Sequence, residues 1–334
     1  MSIPRPIAGV LRPFSLVYAA GARLRARLYA RGWLKQERLK GFVISVGNLT
    51  TGGTGKTPMV MWLAERFLAE GRRVAILSRG YRGSGGTSDE VELMRRRLRG
   101  RVLFGVGQDR FAEGRRLERQ GVDLFLLDDG FQHLHLARDF DIVLIDRSRE
   151  LREELVLPAG HLREPISALG RADCIVFTRI EYQGHAAKMV PGVEGVPLFL
   201  AATRLTGFRK LGADQQLLDL PRIGPSPSFA FCGIGNPQGF FADLKRWKIP
   251  LAGQMVFRDH HRYRQNDIRN IEQAAARCGA SSLITTEKDA QNLGGLRFDS
   301  LEAFSCVIEL EIARAADFVD VIRRKMEMRV GATA

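Results

Sequence analysis

Cysteine is sparse in this chain: four residues in 334, Cys174, Cys232, Cys278 and Cys306. No two of them form a C-x-x-C pair, which argues against a zinc site and against a disulfide framework. Buried or incidental thiols in a reducing compartment are expected instead. Also missing is an uninterrupted apolar run of the roughly 18 residues that a transmembrane helix needs. The N-terminus makes a poor secretory signal. Its apolar run, Phe14 to Ala20, is short and leads into further arginines rather than a cleavage site. A cytoplasmic protein is expected. No internal repeat and no long low-complexity segment interrupts the chain.

Acidic residues are in short supply too. Asp and Glu number 37 against 51 Lys and Arg, for a formal charge of +14. Such a balance implies an acidic partner: nucleic acid, anionic lipid or a phosphorylated substrate. The excess is concentrated at the start. Arg5, Arg12, Arg23, Arg25, Arg27, Arg31, Lys35, Arg38 and Lys40 face one acid, Glu37, in the first 40 residues. Hydrophobic residues make up 45% of the chain, enough for a sizeable core, and the length suggests two lobes.

Residues 14–34 read as a helix. Phe14, Val17, Tyr18, Gly21, Leu24 and Leu28 recur at spacings of three and four, and Arg23, Arg27 and Arg31 share another stripe. This pattern suits a helix lying in the headgroup plane of a membrane, or one packed on the protein's own core. From residue 42 an α/β pattern begins. Apolar runs at Phe42–Val46, Val74–Leu77, Val102–Val106, Leu124–Leu127, Ile142–Ile145 and Cys174–Phe177 alternate with helical segments, notably Pro58–Ala69 and Asp109–Gln120. Continuous apolar strands alternating with helices indicate a largely parallel sheet covered on both faces, with ligands at the carboxyl ends of its strands. Residues 205–221 read as a polar, Gly- and Pro-containing connection. A second α/β stretch follows, with strands at Ser228–Gly233 and Ser282–Thr285 and helices at Pro237–Arg246, Gln265–Cys278 and from Ala315. The expected organisation is a basic amphipathic helix (1–40), a P-loop core (41–205) and a smaller α/β lobe (206–334).

The strongest chemical signal is Thr50-Thr51-Gly52-Gly53-Thr54-Gly55-Lys56-Thr57, set between a strand and a helix. That context is the one a phosphate-binding loop requires. The glycines let backbone N–H groups turn toward phosphates, Lys56 reaches the β- and γ-phosphates, and the Thr57 hydroxyl suits Mg²⁺. Thr50 stands where such loops usually carry their first glycine, and Pro58 suits the first helical turn. A second signal is the apolar strand that ends in Asp128-Asp129-Gly130-Phe131-Gln132-His133, similar to a Walker B element. Either carboxylate, Asp128 or Asp129, would sit near the metal. Further polar groups follow other strands: Ser78-Arg79-Gly80-Tyr81, then Ser88-Asp89-Glu90 on a Gly-rich loop, and Arg163-Glu164-Pro165 after Leu157-Pro158-Ala159-Gly160. Phe257-Arg258-Asp259-His260-His261-Arg262-Tyr263 offers a catalytic or substrate-contacting histidine, a metal ligand or a structural pair. Thr286 followed by Asp289 fits the start of a capped helix rather than a catalytic motif.

Taken in order, these motifs resemble one family, the tetraacyldisaccharide 4′-kinases of lipid A synthesis. The likeness runs over nearly the whole chain. It includes Pro13-Phe14-Ser15, Val46-Gly47-Asn48, Gly52 to Pro58, Ser78 to Tyr81, Asp128 to His133, Leu157 to Gly160, Leu162 to Pro165, Gly233-Ile234-Gly235-Asn236-Pro237, Asp259-His260 and Thr286-Glu287-Lys288-Asp289. Ser88 stands where the family usually has glycine. The resemblance implies transfer of the ATP γ-phosphate to the 4′-hydroxyl of a tetraacylated glucosamine disaccharide 1-phosphate. It implies ATP and Mg²⁺ as cofactors, the lipid A disaccharide precursor and the anionic inner-membrane surface as partners, and a peripheral place on the membrane's cytoplasmic face. No nucleic acid and no obligate protein partner are expected. Under this resemblance Lys56, Asp89 and His260 are catalytic, with Asp89 taking the sugar hydroxyl's proton. Thr57, Asp128, Asp129 and Glu164 are metal-shell candidates, and Arg79, Gln132, Arg163 and His261 are substrate contacts. His260 lies in the second lobe, so the Asp89–His260 pair is expected to assemble only when the lobes approach.

Two other classes compete. A P-loop switch or assembly ATPase would hydrolyse ATP without a lipid acceptor, but positions 50–54 lack the extra lysine such ATPases carry. A nucleic-acid-binding module rests on the pI alone and lacks a recognisable reading motif.

Overall fold

The computed structural model describes residues 5–80, 88–147, 151, 154–179, 193, 195–212, 217–218 and 226–333. The chain divides into two compact units. One comprises residues 1–81, 98–202 and 311–334, the other residues 82–97 and 203–310.

In the first unit the strands are β1 (Phe42–Asn48), β2 (Val74–Ser78), β3 (Leu103–Val106), β4 (Leu124–Asp128), β5 (Phe140–Asp146) and β6 (Cys174–Thr178), and the opening residues of β7 (Leu198–Lys210) belong to it as well. Their order is β3-β2-β4-β1-β5-β6-β7, with every pairing parallel. β1, β2, β4, β5 and β6 are buried along their whole length, which is why they read as continuous apolar runs. The register pairs Val46 with Asp128 and Asn48 with Leu144, so Asn48 and Asp128 both stand at the carboxyl edge, as does Ser78 at the end of β2. Helices α2 (Lys56–Ala69) and α4 (Arg110–Glu118) connect the strands. Asp109 caps α4 by accepting from the Ala112 N–H at 2.9 Å. One core cluster gathers Leu49, Phe131, Val143, Ile145 and Phe177, another Leu39, Val43, Leu77, Phe125 and Leu127.

The N-terminal helix α1 (Arg5–Ala30) has an inverted amphipathic pattern. Small residues face the protein. Ser15 and Ala19 are buried, and the Ser15 hydroxyl accepts from the Ala159 N–H at 3.0 Å. Arg25 donates to the Gln132 carbonyl at 3.1 Å. The large apolar residues point away: Val10, Phe14, Val17 and Leu24 are 58% to 73% exposed, and Trp33 beyond the helix is 73% exposed. The apolar stripe read from the sequence is thus largely the outward face, not a face packed on the core. Helix α8 (Ala315–Thr333) also belongs to this unit: Phe318 meets Phe199 at 4.9 Å, and Arg323 bonds Glu70 at 2.6 Å.

The second unit has the strand order β10-β9-β11-β12-β7, built from β9 (Ser228–Cys232), β10 (Leu251–Val256), β11 (Ser282–Thr286), all but the last two residues of β12 (Glu302–Ile312) and the later residues of β7. A short β8 (Leu217–Leu218) pairs antiparallel with β7. Along β9, Phe229 and Phe231 enter one core cluster and Ala230 and Cys232 another, so both faces are covered. Helices α5 (Pro237–Arg246), α6 (Gln265–Arg277) and α7 (Glu287–Gln291) connect these strands.

Strands β10 and β12 were not expected from the sequence, and the structure differs from the expected organisation in three further places. Residues 205–210 are part of a 13-residue strand, not a connection. The C-terminal helix packs in the first unit. Helix α3 (Asp89–Leu98) begins where a glycine-rich loop was expected, and all but its last residue belong to the second unit. The Ser88 hydroxyl accepts from the Val91 N–H at 3.3 Å, so Ser88 starts the helix and Asp89 opens it. Arg97 holds α3 in place by donating to the Ile308 carbonyl at 2.6 Å and approaching Glu287 at 3.4 Å. Gly83, Gly85 and Gly86 lie outside the described residues.

Candidate active site

In the first unit, β1 runs into the loop Thr50–Gly55 and the loop into α2. Gly52 and Gly55 adopt φ of 121° and 88°, conformations that strain any side chain. The loop is braced from behind. Thr50 bridges Leu162, the Thr51 N–H donates to the His161 carbonyl at 2.8 Å, and the Thr178 hydroxyl donates to the Thr54 carbonyl at 3.1 Å. The Arg163 N–H in turn donates to the Leu49 carbonyl at 2.7 Å. The segment around Leu157 to Pro165 therefore holds the loop and delivers Arg163 beside it.

Lys56, at the start of α2, donates to Asn48 Oδ1 at 3.2 Å and lies 3.3 Å from Asp129 Oδ1. Arg163 donates to Asp129 Oδ2 at 2.7 Å. Asp129 is thus clasped by two cations, with its backbone at a φ of 52°. Burial would raise its pKa, but Lys56 and Arg163 outweigh burial and hold the carboxyl below the usual value. Asp128 is buried at the end of β4, and the Ser78 hydroxyl donates to its Oδ2 at 3.4 Å. Arg110, 5% exposed, has a buried Nε with no hydrogen-bond partner among the described residues. Burial lowers the Arg110 pKa against the opposing pull of Asp128 and Asp129. Gln132 donates to the Asn48 carbonyl at 3.0 Å, and Arg79 is exposed beyond β2.

Glu164 is not grouped with these carboxylates by its bonds. Arg171 grips it with two, at 2.7 and 3.0 Å, and stacks its guanidinium 4.5 Å from the Phe131 ring. Among the described residues no three His, Cys, Asp or Glu side chains form a metal-holding group. The hydroxyl of Thr57 and the carboxylates of Asp128 and Asp129 are hard oxygen donors. They fit Mg²⁺, an ion that takes one or two carboxylates and completes its shell with water and phosphate oxygens.

The second unit carries its own constellation. His260 Nδ1 lies 3.0 Å from Asp89 Oδ2, and Asn292 donates to the same oxygen at 3.1 Å. Both partners of the Asp89–His260 pair belong to this unit, so the expectation that lobe approach assembles the pair is corrected: Asp89 and His260 are parts of one compact unit. Burial would raise the Asp89 pKa, and the bonds from His260 and Asn292, with the charge of Lys288, bring it below the usual carboxylate value. His261 is engaged differently. Its Nε2 lies 3.1 Å from Asp267 Oδ2, and its ring stacks on Phe257 at 4.7 Å. Asn48, Arg110, Lys288 and Asn292 were not assigned roles from sequence. Asn48 and Lys288 lie in the motifs Val46-Gly47-Asn48 and Thr286-Glu287-Lys288-Asp289, whereas nothing in the sequence marks Arg110 among so many arginines.

The family profile for tetraacyldisaccharide-1-P 4′-kinase matches residues 7–327. A tetraacyldisaccharide 4′-kinase of Pelobacter propionicus is 39% identical, with 98% of this chain and 95% of that one covered. Its counterpart in Geobacter metallireducens is also 39% identical, over 93% of this chain and 96% of that one. Among solved structures, Aquifex aeolicus LpxK, in complex with ATP, superimposes with a TM-score of 0.75 at 30% identity, covering 96% of this chain and 99% of that one. With a profile match over nearly its whole length and relatives above 30% identity, this chain belongs to the tetraacyldisaccharide-1-P 4′-kinase family.

Proposed function

We propose that the chain transfers the γ-phosphate of ATP to the 4′-hydroxyl of a tetraacylated disaccharide 1-phosphate, working from the cytoplasmic face of the inner membrane. The observation that carries this reading is the braced loop Thr50–Thr57 with Lys56 turned onto Asp129. The backbone N–H groups of the loop cradle the phosphates, and Lys56 exchanges Asn48 and Asp129 for phosphate oxygens. Thr57 and Asp128 or Asp129 would hold Mg²⁺, which when bound neutralises the β- and γ-phosphate charge. Arg163, Arg79 and Gln132 position the reacting groups, and Arg163 keeps Asp129 ionised. Asp89, oriented by His260, takes the proton as the sugar oxygen bonds to phosphorus and the bond from phosphorus to the ADP oxygen breaks.

The membrane part of the reading rests on α1. No described helix is long and apolar enough to cross a membrane. Helix α1 instead presents Val10, Phe14, Val17 and Leu24 outward beside its arginines, with Trp33 just after it. That composition suits the headgroup boundary, where each arginine gains about 1 kcal/mol from anionic lipid.

Incubation of the purified chain with radiolabelled ATP and tetraacyldisaccharide 1-phosphate in detergent tests the reaction. Label in the lipid is expected; label released only as inorganic phosphate sinks the kinase reading. Flotation with vesicles containing anionic lipid tests the surface. The triple substitution Phe14→Ser, Val17→Ser and Leu24→Ser should abolish flotation without lowering the melting temperature, since none of the three is buried. Unchanged flotation would point to another surface.

A further inference from the structure

The reading of Asp89 as the proton acceptor depends on groups that aim it, and two of them come from one short helix. Thr286 caps α7 by accepting from the Asp289 N–H at 3.0 Å. Lys288 in its first turn and Asn292 at its C-terminus are four positions apart, a spacing that puts both on one face. Asn292 reaches Asp89 Oδ2, the oxygen that also meets His260 Nδ1. Lys288 Nζ reaches the other ring nitrogen, His260 Nε2, at 3.4 Å.

Lys288 is itself held as an ammonium. Glu90 Oε1 lies 3.1 Å and Asp259 Oδ1 3.3 Å from its Nζ. Burial alone would lower its pKa, but these two carboxylates outweigh burial and raise it. An ammonium donates and cannot accept. Glu90 Oε1 and Asp259 Oδ1 also face Nε2, each at 4.0 Å and so beyond hydrogen-bond reach. In the neutral ring Nε2 therefore accepts from Lys288, and the ring proton is assigned by this network to Nδ1, where it donates to Asp89. The histidine backbone is fixed as well. His260 holds a φ of 57° while its N–H donates to the Gly233 carbonyl at 3.0 Å.

We propose that Lys288 is a positioning residue that locks His260 in its Nδ1–H tautomer and, together with Asn292, commits Asp89 Oδ2, so that Oδ1 is the oxygen presented to the substrate hydroxyl. This rests on the reading of Asp89 as the base. A structural lysine would support the fold without setting the tautomer of a neighbouring ring.

The test uses the full chain, ¹⁵N-labelled at its six histidines, with the His260 signals assigned by their loss in His260→Gln. At a pH where the ring is neutral, His260 should show a protonated Nδ1 and a bare Nε2. A protonated Nε2 in the unsubstituted chain overturns the proposal and requires no variant that might misfold. Lys288→Met should lose the Nδ1–H preference and lower kcat by about tenfold to a hundredfold, the size of effect usual for groups that orient a functional side chain. KM for ATP should not change. Lys288→Arg, which keeps the donor and the charge, should restore both tautomer and turnover. Lys288→Met in the His260→Gln background should cost nothing further. A retained Nδ1–H signature in Lys288→Met, or an added loss in the double variant, defeats the proposal. Full activity in Asp89→Ala would defeat the base assignment instead, and the tautomer signal would still report on Lys288 independently.

Discussion

Asp89 and His260, 171 positions apart in the chain, lie 3.0 Å from each other within one compact unit. The pair is therefore built into the second unit's fold and does not wait for domain motion. Residues that act as a unit give non-additive losses. Asp89→Ala is expected to lower kcat on the order of a hundredfold or more with little change in ATP affinity. The double variant with His260→Ala should cost little beyond the worse single variant. Steady-state kinetics on the three proteins decide the matter, and fully multiplicative losses would show that the two act independently.

Lys56 and Arg163 share Asp129, so removing one leaves the carboxylate with the other. Lys56→Ala is expected to abolish phosphate transfer while circular dichroism and melting temperature stay close to those of the unsubstituted chain. Appreciable turnover in a folded Lys56→Ala protein would remove the loop from the mechanism.

The parts legible in the sequence were those whose structural cause is local. β1, β2, β4, β5 and β6 are buried on both faces and read as apolar runs, and the phosphate loop announces itself by its glycines between a strand and a helix. β7 and β12 were missed because each mixes buried and exposed positions and carries polar or charged residues. Helix α3 was missed because Glu and Arg crowd it. Its buried positions Val91, Met94 and Leu98 do recur at helical spacing, and that signal was available. The membership of α3 in the second unit was not available, since it follows from tertiary bonds such as that of Arg97 to Ile308. The same holds for Lys288, whose significance comes from contacts with Glu90 and His260 made by distant segments.

Glu164 entered the metal shell on sequence grounds, yet its two oxygens are taken by Arg171. Breaking a buried ion pair by removing one partner typically costs about 3–5 kcal/mol; because Arg171 is partly exposed, about 3 kcal/mol is expected for Glu164→Ala. Thermal unfolding measures it. An undiminished melting temperature together with a raised Mg²⁺ requirement would return Glu164 to the metal shell.

His133 supplies a pH dependence. Its Nε2 is buried with no hydrogen-bond partner among the described residues. Burial, with Arg110, His135, Arg138 and Arg25 nearby, pushes the imidazole down to about 4 from 6.5. A base with a lower pKa folded than unfolded binds fewer protons in the folded state, so stability rises with pH across the interval between the two values. The contribution is complete above 6.5 and is lost as the pH falls from 6.5 toward about 4. For a fully shielded group the shift would correspond to about 3 kcal/mol. Partial exposure and solvent screening reduce that to about 1 kcal/mol. Asparagine at position 133 cannot titrate. Urea unfolding of His133→Asn should therefore show a smaller loss of stability than the unsubstituted chain over this range. Because every other titrating group is common to both proteins, the difference between the two curves isolates His133. Parallel curves would mean that the imidazole titrates alike in the folded and unfolded chain.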